Sequence, residues 1–134
     1  MGVLIDSSVF IASERGTFDL PAKLAQRAGE EAALSAITAS ELLHGVHRAS
    51  PAAVRARREA FVERILGTLM VLPFDEVTAR IHARLWATLA AKGTNIGPHD
   101  LLIAATALGR AWSVGTRDAR SFPKVPGLEV EIWK

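Results

Sequence analysis

Short apolar runs alternate along this chain with longer stretches in which apolar residues recur at helical spacing. The run at residues 3–5 is a continuous Val-Leu-Ile without polar alternation, which is typical of a parallel strand buried on both faces. Comparable runs predict further strands at 32–35, 69–72, 112–115 and 130–133. Strands that are separated by helical stretches favour an α/β fold built on a mainly parallel sheet of four to five strands.

The helical stretches carry recognisable start residues. Thr38 is expected to open a helix that runs to about residue 48, and Ser50 to cap the next one, with Pro51 in its first turn. Other helices are expected to begin near residues 7, 19, 75 and 98. Since no repeat, low-complexity tract or linker interrupts this pattern, residues 1–134 are expected to form one domain.

Four acidic side chains stand at the ends of these apolar runs. Asp6 directly follows the first run and Asp118 follows the fourth, while Glu41 and Asp100 lie near the starts of predicted helices. In an open parallel sheet, sites form beyond the carboxyl ends of the strands, where the strand order reverses. We therefore expect the four carboxylates to converge at one edge. Because carboxylates beside buried segments need compensation, a hard divalent cation would suit that edge.

Each acid also has a purely structural explanation. Asp6 and Asp118 could cap the segments that follow them, and Thr38 with Glu41 fits a capping box. Asp100 would stand in the first turn of a helix, where a negative charge favours the helix dipole. If capping were their only role, removing one acid would cost about 1 kcal/mol of stability and leave divalent-ion affinity unchanged.

Composition narrows the classes of function. The chain has no cysteine, which excludes disulfides, thiolate zinc sites and a cysteine nucleophile. Carboxylate donors without thiolates suit Mg²⁺ or Mn²⁺ better than zinc. The net charge is +2, and twelve of the sixteen basic residues are Arg, the side chain suited to bidentate contact with phosphates. No apolar run approaches the roughly 20 residues of a membrane helix, and Asp6 interrupts the N-terminal one, so we expect a soluble, cytoplasmic protein.

Four blocks of sequence carry a resemblance to a known family. They read DSSVFI at 6–11, TASELLHGV at 38–46, IGPHDLLIAATA at 96–107, and TRD at 116–118 with VPGL at 125–128. In this order and at these separations, they resemble PIN domains of the VapC toxin type. The resemblance implies a three-layer α/β/α sandwich and a metal-dependent endoribonuclease, the toxin of a type II toxin–antitoxin pair. It also implies an RNA substrate, a cognate antitoxin that inserts a segment into a groove, and a homodimer.

The resemblance also assigns roles to residues. The acidic cluster of the family maps onto Asp6, Glu41, Asp100 and Asp118, with Asp6 and Asp100 the first choice as ligands of Mg²⁺ or Mn²⁺ and Asp118 acting directly or through water. Ser7 and Thr116 resemble accessory hydroxyls that orient carboxylates or waters; local turn hydrogen bonds would explain them equally well.

Basic and imidazole side chains near the predicted edge are further candidates. Arg117 and Arg120 could contact RNA phosphates. His44, one turn from Glu41, is expected to be packed or solvated, and His99, next to Asp100 on a helix, to point elsewhere. The helical stretches at 8–16 and 51–69 carry apolar residues that could line the antitoxin groove or simply pack in the core.

Two other functions remain compatible with the sequence. The first is a metal-dependent phosphoryl hydrolase that acts on DNA or on small phosphate esters. The second is a catalytically inert PIN-like module that binds RNA or protein; retention of all four acids argues against it.

Overall fold

The computed structural model describes all 134 residues as one five-stranded sheet with helices on both faces. Its elements follow the chain order β1 (Gly2–Ile5), α1 (Ser7–Glu14), α2 (Leu20–Gln26), β2 (Glu31–Ser35), α3 (Ala36–Arg48), α4 (Ala52–Thr68), β3 (Met70–Leu72), α5 (Glu76–Ala91), α6 (Pro98–Arg110), β4 (Ser113–Thr116), a 3₁₀ turn (Phe122–Lys124) and β5 (Val130–Ile132). The predicted α/β/α sandwich is confirmed. None of its helices combines the length and hydropathy that crossing a membrane requires.

The sheet is wholly parallel, with the strand order β3-β2-β1-β4-β5. Leu4 of β1 pairs with Ala33 of β2 on one side and with Val114 of β4 on the other. The chain moves outward from β1 to β3 and then crosses over to β4 and β5. The strand order therefore reverses between β1 and β4, and the carboxyl ends of these two strands define the crevice in which such folds bind ligands.

Alternate residues of the central strands face two separate apolar cores. Val3 and Ile5 pack with Phe10 in the core under α1 to α4, whereas Leu4 packs with Ile103 in the core under α5 and α6. All five side chains are at most 1% exposed. Burial on both faces explains why the first strand is a continuous apolar run rather than an alternating one.

Two predicted helix starts are wrong in detail. Helix α3 begins at Ala36, because the Ser35 hydroxyl at the end of β2 accepts a hydrogen bond from the Thr38 backbone N–H at 3.0 Å. The capping box proposed for Thr38 and Glu41 is therefore absent. Helix α4 begins at Ala52, and Pro51 occupies its cap position without a side-chain cap, so Ser50 does not cap it.

An ion-pair network fastens the last strand to α2. Arg27 donates to both carboxylate oxygens of Glu131, at 2.6 and 3.1 Å, while Ser113 and Trp133 donate to the same carboxylate at 2.6 and 3.3 Å. Desolvation raises the pKa of Glu131, but the hydrogen bonds from Ser113 and Trp133 and the charge of Arg27 outweigh it, and the net shift is downward. The ionised carboxylate therefore stabilises the fold.

Replacing Glu131 by Gln is expected to lower the free energy of unfolding by about 1–2 kcal/mol at neutral pH. Because the folded-state pKa lies below the ordinary value of 4.5, this contribution is fully present above pH 4.5 and disappears as the pH falls through the folded-state pKa. Urea unfolding of both proteins across this range measures it. The matched control is Glu76→Gln, whose exposed pair with Arg80 should contribute only a few tenths of a kcal/mol. A Glu131→Gln deficit that is equally large well below this pH range would contradict the assignment.

Candidate active site

Asp6 lies at the crevice between β1 and β4. It is the first residue after β1, its backbone N–H donates to the Gly115 carbonyl at 3.0 Å, and only 4% of it is exposed. The chain after β4 reaches the same place, because the Thr116 hydroxyl donates to the Asp6 carboxylate. The two central strands thus deliver a buried carboxylate and a hydroxyl to one point.

Three hydroxyl groups hold the Asp6 carboxylate in place. Ser7 donates to Oδ1 at 3.2 Å, Ser8 donates to Oδ2 at 2.7 Å, and Thr116 donates to Oδ2. Asp6 is also the N-cap of α1, since Oδ1 accepts from the Ser8 backbone N–H at 3.4 Å. The structural explanation of Asp6 therefore holds, but it does not account for the three hydroxyls around it.

Asp100 has a pKa raised above its ordinary value. It lies in the first turn of α6 and is partly buried. Desolvation raises its pKa; the Ser121 hydroxyl opposes this rise, and the negative charges of Asp6, Glu41 and Asp118 add to it. The other three predicted acids therefore lie near enough to Asp100 for their charges to affect its pKa. Such an accumulation of negative charge favours a cation.

Glu41 projects from the second turn of α3 and meets the start of α6. Its Oε2 lies 3.2 Å from Nδ1 of His99, while its Oε1 is buried without any hydrogen-bond partner. The expectation that His99 points elsewhere is therefore wrong. A buried oxygen without a partner is costly, and it is available to bind a ligand.

Asp118 is arranged differently from the other three acids. Its carboxylate accepts from the Arg120 guanidinium at 3.0 and 3.1 Å and from the Arg120 backbone N–H at 2.9 Å. These hydrogen bonds with Arg120 hold the pKa of Asp118 below its ordinary value. Asp118 thus closes a turn, as its structural explanation proposes. Both of its carboxylate oxygens accept hydrogen bonds from the Arg120 guanidinium.

Arg117 also has internal partners. Its backbone N–H donates to the Ser8 hydroxyl at 3.0 Å, its guanidinium donates to the Trp133 carbonyl at 3.4 Å, and it lies over the Phe18 ring at 5.3 Å from the centroid. These contacts position the loop after β4 against α1.

The donor set fits a hard divalent ion that retains water. No three carboxylate or imidazole side chains lie close enough together to surround one ion in this conformation. Mg²⁺ does not need such a cage, because it keeps several waters and is usually bound through only one or two carboxylates. The unpartnered oxygen of Glu41 and the charge accumulated around Asp100 are the two features that such an ion would compensate.

Two cavities flank α1 at this edge. A groove of about 440 Å³ between α1, α3 and α4 reaches Glu41 and His99, and we call it the α1/α3/α4 groove. A more open cavity of about 530 Å³ lies on the other side of α1 and is lined by Asp118 and Arg120. Glu41 and Asp118 therefore lie beside open space on opposite sides of α1, and Asp6 and Asp100 line neither cavity.

Sequence reasoning assigned no role in the site to two residues that contact its acids, Ser8 and His99. Ser8 could have been found, because a Ser two residues after an Asp at a helix start is a recurrent local hydrogen-bonding pattern. His99 could not, because it meets Glu41 across 58 residues of chain, and no local spacing encodes that contact.

Known proteins resemble this chain in sequence over most of its length. Residues 3–128 match the PIN domain. The chain is 37% identical over 130 residues to Ribonuclease VapC1 of Rickettsia felis, which covers 97% of this chain and 95% of that protein. It is also 37% identical over 100 residues to the tRNA(fMet)-specific endonuclease VapC of Salmonella typhimurium, covering 75% of this chain and 74% of that protein.

A solved structure extends the agreement to the fold. The crystal structure of DNA-bound VapBC from Salmonella typhimurium superposes with a TM-score of 0.88 and 28% sequence identity, covering 98% of this chain and 97% of that one. The match of the sequence and of the fold over nearly the whole length shows that this chain belongs to the PIN domain family, among its VapC-type members.

Proposed function

We propose that this protein is a toxin endoribonuclease that hydrolyses RNA phosphodiester bonds with the help of Mg²⁺ or Mn²⁺. The observation that carries the proposal is the Asp6 carboxylate, buried and held by three hydroxyls at the strand-order reversal of a PIN domain. The partly buried Asp100 lies near enough for the charge of Asp6 to contribute to its raised pKa. Relatives that match most of this chain are named ribonuclease or endonuclease VapC. Among hydrolases, this arrangement favours chemistry on a charged phosphate.

Asp6 and Asp100 would hold the metal ion, with Glu41 as a further ligand and Asp118 acting through water. A divalent ion bound there would supply a water of lowered pKa and positive charge to stabilise the phosphate oxygens. Ser7, Ser8 and Thr116 keep the Asp6 carboxylate in one orientation. The unpartnered Oε1 of Glu41 could also accept the proton of an attacking water, a role that we rank below metal ligation.

The substrate would approach the acids through the cavity lined by Asp118 and Arg120. Arg120 is exposed, so its guanidinium can exchange Asp118 for an RNA phosphate when Asp118 turns towards the metal. Arg117 would act beside it, mainly by fixing the loop that carries both residues.

Two protein partners accompany this function. A cognate antitoxin would insert a segment into the α1/α3/α4 groove and block access to Glu41, consistent with solved relatives that are VapBC complexes. A homodimer is supported by exposed apolar side chains on α5, where Val77 and Trp86 are 60% and 63% exposed and Trp86 lines a cavity of about 280 Å³. With RNA as its substrate, we expect the protein to act in the cytoplasm.

A cleavage assay on structured RNAs with Mn²⁺ or Mg²⁺, repeated after complete chelation, tests the proposal. We expect cleavage with either ion and loss of cleavage on chelation. DNA and small phosphate esters in the same assay test the other hydrolase. Preferential turnover of either would replace RNA as the substrate. RNA binding without any cleavage, in the parent and in the Asp6→Asn variant alike, would favour the inert module, and cleavage that survives complete chelation would contradict the metal mechanism.

A further inference from the structure

His99 makes the one polar contact between the helix that carries Glu41 and the helix that carries Asp100. Its Nδ1 lies 3.2 Å from Oε2 of Glu41, and no other hydrogen bond reaches that carboxylate. His99 directly precedes Asp100 in the first turn of α6. The imidazole therefore links the two acids through one side-chain contact and one peptide unit.

The hydrogen bond between His99 and Oε2 of Glu41 restricts the orientation of the other carboxylate oxygen, Oε1. A free glutamate side chain samples several rotamers about its three torsions, and holding it in one of them costs conformational entropy. With Oε2 hydrogen-bonded to His99, the carboxylate can turn little, and its buried Oε1 stays without a partner. In known metal sites, a hydrogen bond to the far side of a ligand fixes its orientation in this way.

We propose that His99 is a positioning residue, which holds Glu41 so that its free oxygen faces the divalent ion. The inference rests on the proposed function for its metal but assigns a role to a residue outside the four acids. A merely structural role would look different, because the imidazole is 62% exposed and an exposed pair of this kind contributes little to stability. Loss of His99 should therefore affect the metal far more than the fold.

Three variants distinguish a positioning role of His99 from a merely structural one. His99→Ala removes the donor, and His99→Asn keeps one, because the Asn amide nitrogen occupies roughly the position of Nδ1. His47→Ala is the matched control, since His47 is an exposed imidazole on the helix that carries Glu41 and its side chain makes no hydrogen bond. For each protein, calorimetric titration gives the Mn²⁺ affinity, thermal unfolding the stability, and cleavage kinetics kcat and KM for RNA.

We expect His99→Ala to weaken Mn²⁺ binding about 10-fold and to lower kcat by a similar factor, with KM for RNA and the unfolding midpoint unchanged. His99→Asn should recover most of both losses, and His47→Ala should match the parent. Parental Mn²⁺ affinity in His99→Ala, or a His99→Asn variant no better than His99→Ala, would overturn the role. If the parent binds Mn²⁺ in a His99-dependent manner but cleaves no RNA, the proposed function fails and the positioning role stands. If the parent binds no Mn²⁺, both fail.

Discussion

Replacing Asp100 by Asn is expected to reduce RNA cleavage by more than about 100-fold while leaving the metal-free protein at least as stable as the parent. Loss of a group that only orients a metal ligand already lowers metal affinity or activity 10- to 100-fold, so loss of a direct ligand should lower activity more. The stability follows from the pKa, because the ionised form of Asp100 is disfavoured in the folded state by desolvation and by its acidic neighbours. Asparagine keeps the shape of the side chain and removes that charge.

Asp75 provides the matched control for this substitution. It caps α5, and its pKa is held below the ordinary value by hydrogen bonds from the Thr78 backbone N–H and hydroxyl. Asp75→Asn should therefore lower stability and leave cleavage unchanged, the reverse of Asp100→Asn on both counts. Cleavage rates and thermal unfolding of the three proteins without metal measure the contrast. An Asp100→Asn variant that loses stability but keeps parental cleavage would reduce Asp100 to a helix-end charge.

Replacing Gly115 by Ala is expected to destabilise the protein by about 1–3 kcal/mol, the usual cost of overpacking a filled core. A Cβ on Gly115 would lie 2.7 Å from the ring of Trp133, which is 2% exposed. The ring cannot easily move aside, because it stacks on Phe18 at 6.1 Å and its Nε1 donates to Glu131. Since the next residue is Thr116, the strain falls on the strand that delivers a hydroxyl to Asp6.

Gly67 offers the control of opposite sign. It lies inside α4, and a Cβ there would meet no atom within 4 Å. Gly67→Ala should raise the free energy of unfolding by roughly 0.5–1 kcal/mol through helix propensity alone. Chemical denaturation of both variants gives the comparison. Equal stabilities for Gly115→Ala and the parent would mean that Trp133 does not hold the position described here.

Burial explains how far the sequence could predict the fold. The run at 3–5 is apolar at every position because both of its faces are covered, so a short strand could be recognised without alternation. The first residue of a helix is harder to predict from sequence, because several neighbouring polar residues can each occupy the N-cap position. Ser35 is both the last residue of β2 and the cap of α3, while Thr38, the expected cap, is 0% exposed inside the helix.

The site was predictable only as far as the topology of parallel sheets determines it. Asp6 follows β1 in sequence, and the reversal of strand order beside β1 accounts for its place in the crevice. Side-chain partners are set by packing between distant elements, which local spacing does not encode. Nothing in the sequence therefore indicates the pairing of Glu41 with His99. The capture of Asp118 by Arg120 is a rotamer choice within one turn, which a sequence pattern does not determine either.

A crystal soaked in Mn²⁺ and measured for anomalous scattering tests the central claim most directly. The claim is that a divalent ion binds beyond the carboxyl ends of β1 and β4. We predict one strong peak at roughly 2.1–2.3 Å from a carboxylate oxygen of both Asp6 and Asp100, with waters completing its coordination. A Mn²⁺ ion found only on other faces of the protein, with none at these two carboxylates, would contradict it.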